Sequence, residues 1–217
     1  MSNKSSAPAR GLFIAFEGGD GAGKSTQVAM AQQWLEARGS QVVTTREPGG
    51  TQISEALRSL VLEHGHGEID SRTEALIYSA ARAAHVQQLI APALNAGSHV
   101  ICDRFVDSSL AYQGMGRALG FDAVAQINDF ATDGLKPDVT IILDISAADG
   151  RARRVAAGGG VEAADRLEAE PDDFHERIRN AFLELAAGDP ERYLVVDATL
   201  SVAEIHAAIT TYLAGLL

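Results

Sequence analysis

The chain has 217 residues, a hydrophobic fraction of 46% and a formal net charge of -11. That length suits one sizeable α/β domain rather than two, and the acidic balance repels a polyanion, so nucleic acid is excluded as a main partner. A mononucleotide stays open, because a local group of arginines overrides the global field at short range. The longest apolar runs are strand-sized and Cys102 is the only cysteine, so no membrane span and no intrachain disulfide are expected, and the setting is read as cytoplasmic.

In chain order, residues 1–10 are polar, carry no apolar signal stretch and are expected as a disordered leader; 11–217 are expected as a single domain. The apolar run Leu12 to Glu17 predicts a first strand. Gly18-Gly19-Asp20-Gly21-Ala22-Gly23-Lys24-Ser25 follows it and matches the phosphate-binding loop pattern in full, with a helical pattern beginning at Lys24. Glycines let successive backbone N–H groups turn inward, and the helix N-terminus behind them adds partial positive charge. Lys24 reaches outer phosphates and Ser25 offers a hydroxyl to a metal ion held between them. The helix from Lys24 to about Arg38 places Val28, Ala31 and Leu35 on one face, flanked by Trp34, and Gly39 stops it.

A second strand, Gln41 to Thr45, leads into Thr45-Arg46-Glu47-Pro48-Gly49-Gly50-Thr51, a loop whose Pro and Gly pair forbid regular structure. Glu55 to Glu63 reads as a helix. His64-Gly65-His66-Gly67 interrupts it as a surface turn, since no third ligand stands at a metal-binding spacing. The next helix, Ser71 to Ala96, opens with the capping-box sequence Ser71-Arg72-Thr73-Glu74. Tyr78 and Arg82 share one of its faces, as site residues or as an exposed stacking pair, and His85 is structural.

The third strand, His99 to Asp103, ends in an aspartate of the kind that orders a metal and its waters. Val139 to Asp144 has the same form. Asp103 is preferred because Arg104 follows it. Ser108-Ser109-Leu110-Ala111-Tyr112-Gln113-Gly114 supplies hydroxyls, an amide and a ring suited to a base. Between about 150 and 168, Arg151, Arg153 and Arg154 precede Gly158-Gly159-Gly160, and Asp165-Arg166-Leu167-Glu168 closes the segment. This composition suggests a cationic lid, with a plain surface loop as the alternative. A fifth strand, Tyr193 to Asp197, and a last helix, Val202 to Leu216 with Val202, Ile205, Ile209 and Leu213 in the core, complete the chain. Alternating strands and helices predict an α/β fold of the P-loop three-layer type, a five-stranded parallel sheet flanked by helices with a small lid. Ligands then gather beyond the strands' carboxyl ends.

These stretches resemble the bacterial thymidylate kinases, within the nucleoside monophosphate kinases. The resemblance covers nearly the whole chain after Arg10. It rests most on Glu17 to Ser25, Thr45 to Thr51, Tyr78 to Arg82, Asp103-Arg104, Ser108 to Gly114 and Asp165 to Glu168. It implies transfer of the ATP γ-phosphoryl group to dTMP with Mg²⁺, in a homodimer. By motif, Gly18, Gly19, Asp20, Gly21, Ala22, Gly23, Lys24, Ser25 and Thr26 take ATP, and Ser25 and Asp103 serve the metal. Arg46, Arg82 and Arg104 take the acceptor phosphate. Asp20 is placed near the sugar, Tyr78 on thymine, Ser108, Ser109 and Gln113 around the base, and Tyr112 where a ribose 2′-hydroxyl would clash. Lys24, Asp103, Arg104, Arg153 and Arg166 form the catalytic set, with the lid cation open among Arg151, Arg153, Arg154 and Arg166. Asp197-Ala198-Thr199 is the expected adenine neighbourhood. The alternatives are a kinase for another nucleotide, such as dUMP, and a P-loop regulator that transfers nothing.

Overall fold

The computed structural model describes residues 10–63, 65–156, 166–167 and 170–217. The leader up to residue 9, His64, the lid glycines, Asp165 and Glu168 lie outside the described residues. Strand β1 (Phe13–Gly18) is buried at every position, which is what a strand covered by helices on both faces requires. Its alternation splits the core. Ile14 and Phe16 pack with Ala31 and Leu35 of α1 (Lys24–Glu36) and with Ile205, Ile209 and Leu213 of α9 (Val202–Ala214). Phe13 and Ala15 face the other layer, Val86, Ile90, Leu94 and Phe105. Side chains of this size contribute about 1.5–3 kcal/mol each when buried, so the central strands are firmly fixed and their ends make a rigid base for a site.

Five parallel strands run in the order β2-β3-β1-β4-β5, with β2 Val42–Arg46, β3 His99–Asp103, β4 Val139–Asp144 and β5 Tyr193–Asp197. The register sets Asp103 beside Arg46 and Phe16 beside Asp103, so β2 and β3 deliver their last residues to one edge, with the end of β1 and its loop just beyond. Among the described residues the remaining α-helices are α2 (Gln52–Leu62), α3 (Ser71–His85), α4 (Ala91–Asn95), α5 (Val106–Ser109), α6 (Phe121–Thr132), α7 (Ala147–Ala156) and α8 (Asp172–Gly188), and a π-helical stretch, Leu110–Gly116, follows α5.

Two details depart from the sequence expectation. The helix foreseen over Ser71 to Ala96 is α3, a π-helical turn at Val86–Ile90, and α4. Pro92 has no N–H for the carbonyl four residues back, and its ring crowds that carbonyl, so the ladder widens there. The cap of α3 is Asp70 rather than Ser71: its Oδ1 accepts from the N–H of Arg72 at 2.9 Å and of Thr73 at 3.1 Å. Glu74 is fully buried and free of any capping duty. A reciprocal capping box does occur, at Ser201 and Glu204 of α9.

Candidate active site

The loop after β1 turns through glycines at positive φ, 131° at Gly18, 81° at Gly21 and 91° at Gly23, values that only glycine takes without strain. Lys24 folds back over the loop and its Nζ donates to the carbonyls of Gly18 and Gly19, each at 3.0 Å. Burial lowers its pKa, and Arg104 adds to that, against Asp20, Asp103 and Glu17. The Ser25 hydroxyl donates to Asp103 Oδ2 at 3.4 Å, so the two expected metal-side oxygens stand together. Asp144 is not available for that role, because Arg179 clamps both its oxygens at 2.6 and 3.0 Å. A hydroxyl and a carboxylate beside a phosphate cradle are hard oxygen donors that fit a small divalent cation completed by phosphate and water.

A wide cleft of about 1260 Å³ opens over the loop, lined by Asp20, Gly21, Gly23, Lys24, Ser25 and Thr26, and by Arg46, Asp103, Arg104, Arg153 and Arg154. A second cleft of about 550 Å³ adjoins it and is lined by Tyr78, Arg82, Ser108, Ser109, Tyr112 and Gln113. Asp20, Glu47, Arg58 and Arg104 line both, so the two form one trough with a cationic waist. Arg104 holds the waist at a φ of 71°, donating to Asp20 Oδ1 at 2.6 Å and to Ser108 Oγ at 3.2 Å. Burial works against the Asp20 charge, but Arg104 and Lys24 outweigh it and hold its carboxyl below the usual range.

Beneath the waist lies Glu17, fully buried. It accepts from the N–H groups of Phe105 at 2.8 Å and Ser108 at 3.0 Å, and from Ser108 Oγ at 2.6 Å, tying down the loop that carries Arg104. Burial pushes its carboxyl up to about 7.

The structure redistributes the expected arginines. Arg82 is 2% exposed and faces the second cleft, not the phosphate cradle. Its guanidinium donates to Glu47 at 2.6 Å, Ser109 at 2.9 Å, the Phe105 carbonyl at 3.0 Å and Asn128, so an acceptor-phosphate role does not fit it. Arg58, which the sequence did not single out, lines both clefts instead, and no local pattern in the chain marks it out from other arginines. Arg46 stands at the rim, paired with Glu55 at 3.0 Å. Of the arginines at 151, 153 and 154, Arg153 and Arg154 line the wide cleft, whereas Arg151 pairs with Asp172.

Arg166 binds Glu74 and the Val61 carbonyl and lines neither cleft. Tyr78 and Arg82 are both buried, which removes the exposed-pair alternative. The Tyr112 hydroxyl is buried without a hydrogen-bond partner among the described residues, and its ring lies 5.3 Å from the Arg104 guanidinium. Asp197 is occupied by its own turn, accepting from Thr199 N–H and Oγ1 at 2.8 and 2.6 Å, and it lines neither cleft.

A five-stranded 2-3-1-4-5 sheet, a complete phosphate-binding loop and a second ligand-sized cleft across an arginine waist define a P-loop nucleotide kinase. The family model described as thymidylate kinase matches residues 16–209. A thymidylate kinase of Cutibacterium acnes is 49% identical over 207 residues, covering 95% of this chain and 98% of its own length. One of Clavibacter michiganensis is 51% identical over 201 residues, 93% of each chain. The crystal structure of thymidylate kinase from Ehrlichia chaffeensis superposes with a TM-score of 0.74 at 33% identity, covering 94% of this chain and 99% of that one. The chain belongs to the thymidylate kinase family.

Proposed function

We propose that the chain transfers the γ-phosphoryl group of ATP to dTMP, giving dTDP and ADP, with ATP in the wide cleft and dTMP in the smaller one. The observation that carries this reading is the waist. Two clefts sharing Arg58 and Arg104 suit two phosphate-bearing substrates brought end to end, and a nucleotide-sensing regulator has no use for the second. A phosphate oxygen of dTMP attacks the γ-phosphorus in line, the bond to the bridging oxygen breaks, and ADP departs, with no covalent intermediate. The protein's work is positioning and charge neutralisation.

Gly18 to Thr26 cradle the triphosphate, with the Lys24 ammonium moving from its own loop carbonyls to the outer phosphates. Ser25 and Asp103 would hold Mg²⁺, which would supply neutralisation of the phosphate charge. Arg104, Arg46 and Arg58 take the acceptor phosphate; Arg153, with Arg154 beside it, supplies the cation for the transferred group. Asp20 meets the sugar, Tyr78 stacks on the base, Ser108, Ser109 and Gln113 edge it, and Tyr112 closes the space beside C2′. Arg82 belongs to the base end. Family membership supports a cytoplasmic homodimer, and exposed Ile53, Leu76 and Phe130 on α2, α3 and α6, with α3 packed against both of the others, support the dimer. No helix among the described residues is long and apolar enough to cross a membrane.

The test is turnover across a panel of nucleoside monophosphates with ATP and Mg²⁺. ADP forms fastest with dTMP. Equal rates across the panel, or a preference for another base, would reject the assignment.

A further inference from the structure

Glu74 has no place in the chemistry above, yet it is completely buried on the first turn of α3. Its Oε1 accepts from Gln113 Nε2 at 2.9 Å and lies 3.5 Å from Arg117 Nε. Its Oε2 accepts from Arg166, whose Nε also donates to the Val61 carbonyl at 3.0 Å. Leu167, next to Arg166, lines the cleft that holds Gln113. One carboxylate therefore touches both a wall residue of the base cleft and Arg166, whose neighbour Leu167 lines the same cleft.

A carboxylate opposed by two guanidinium groups offers only acceptors. Gln113 can meet it only with its amide NH₂, never with its carbonyl, so the choice between the amide's two orientations is settled by Glu74 rather than by the ligand. Gln113 is 2% exposed and lines the cleft, which leaves its carbonyl oxygen as the end that a ligand can use. An oxygen there accepts a hydrogen bond from a ring N–H, as thymine and uracil carry, and opposes a bare ring nitrogen, as in cytosine.

We infer that Glu74 is a specificity-determining positioning residue: it locks Gln113 with its carbonyl toward the base, and through Arg166 it fixes Leu167 over the same cleft. This rests on the reading that Gln113 edges the base. Choice of base and seating of the lid stem thus share one buried anion. Arg166, expected at the transferred phosphoryl group, works here instead.

The experiment compares wild type, Glu74→Gln, Glu74→Asp and Gln113→Ala, measuring binding of dTMP and dCMP by titration calorimetry and KM and kcat with each acceptor. A glutamine at 74 either donates or accepts, so the Gln113 amide is released to turn. The dTMP-over-dCMP preference then falls by at least about tenfold, mainly through KM, because a buried site that loses its matched donor or acceptor loses discrimination. Glu74→Asp stays acceptor-only and keeps the preference while binding both nucleotides more weakly. An unchanged preference in folded Glu74→Gln overturns the inference, as does loss of preference in Glu74→Asp, which also decides the matter if the glutamine variant does not fold. If Gln113→Ala leaves dTMP affinity intact, the placement of Gln113 at the base fails as well; a loss of affinity there, with preference intact in Glu74→Gln, overturns the role of Glu74 alone.

Discussion

Replacing Glu17 by Gln should make the protein more stable, and more so as the pH rises. Glu17 is wholly buried, and burial raises its pKa from 4.5 to about 7; Arg104 pulls the other way, and Asp107 reinforces the rise. The folded chain therefore holds this proton more tightly than the unfolded chain does. Stability from that proton is complete below the unfolded pKa and is lost as pH climbs through 4.5 toward 7. A rise of this size corresponds to about 3 kcal/mol, at ~1.4 kcal/mol per pKa unit. Glutamine does not titrate, yet its carbonyl still accepts from Phe105 and Ser108, and its NH₂ can donate to the Ser108 hydroxyl. The gap between variant and wild type should widen by about 3 kcal/mol from pH ~4.5 to pH ~8, or roughly 6–12 °C in Tm for a chain of this length. Urea melts at several pH values across that range read it directly. Parallel stability curves for the two proteins would refute the claim that wild type buries an ionised carboxylate at its own cost.

Two further outcomes follow from the same geometry. A Cβ at position 150 would lie 2.4 Å from the Asp20 carbonyl oxygen, and one at position 21 would lie 2.1 Å from the Gly150 carbonyl, so α7 seats directly on the phosphate-binding loop. Gly150→Ala should push α7 off the loop together with Arg153 and Arg154, lowering kcat by about tenfold or more with little change in the KM for dTMP; a near-normal kcat in steady-state assays would detach those arginines from the reaction. Lys24→Ala should reduce kcat by several powers of ten with an unchanged circular dichroism spectrum, and a near-normal rate would remove Lys24 from the chemistry.

What was legible in the sequence was whatever local backbone chemistry dictates. The phosphate-binding loop is readable because Gly18, Gly21 and Gly23 answer a conformational demand, and the central strands β1, β3 and β4 are readable because burial leaves an apolar run. The arginines were not readable in the same way. Arg58, Arg82 and Arg166 all carry the same charge in the string, and their roles depend on the partner across the fold: the Pro48 carbonyl for Arg58, Glu47 for Arg82, Glu74 for Arg166. Buried carboxylates are the matching blind spot. Glu17, Glu47 and Glu74 lie at 0%, 5% and 0% exposure, where residue type alone predicts the surface. His85 was rightly read as structural, but its position between Glu47 at 3.0 Å and Thr45 at 2.7 Å, pinning the Pro-Gly-Gly loop to α3, depends on contacts across 38 and 40 residues.

The energetics of these pairs explain why the arginines divide as they do. An exposed pair such as Arg46 with Glu55 is worth about 0–1 kcal/mol, so Arg46 can leave its partner for a phosphate at almost no cost. Separating a buried pair such as Arg82 with Glu47 costs about 3–5 kcal/mol, because the carboxylate would be left uncompensated, and Arg82 has three other bonds to lose as well. On the proposed function, a phosphate arriving at the waist would meet Arg58 there and recruit Arg46 from the rim, while Arg82 stays as a wall. Arg104 falls between these cases, fixed by Asp20 and by the loop that Glu17 holds, yet open on the side facing both clefts. An acidic protein of net charge -11 can in this way present a cationic trough, because its carboxylates inside the site hold guanidinium groups in place and leave their free edges to the substrates.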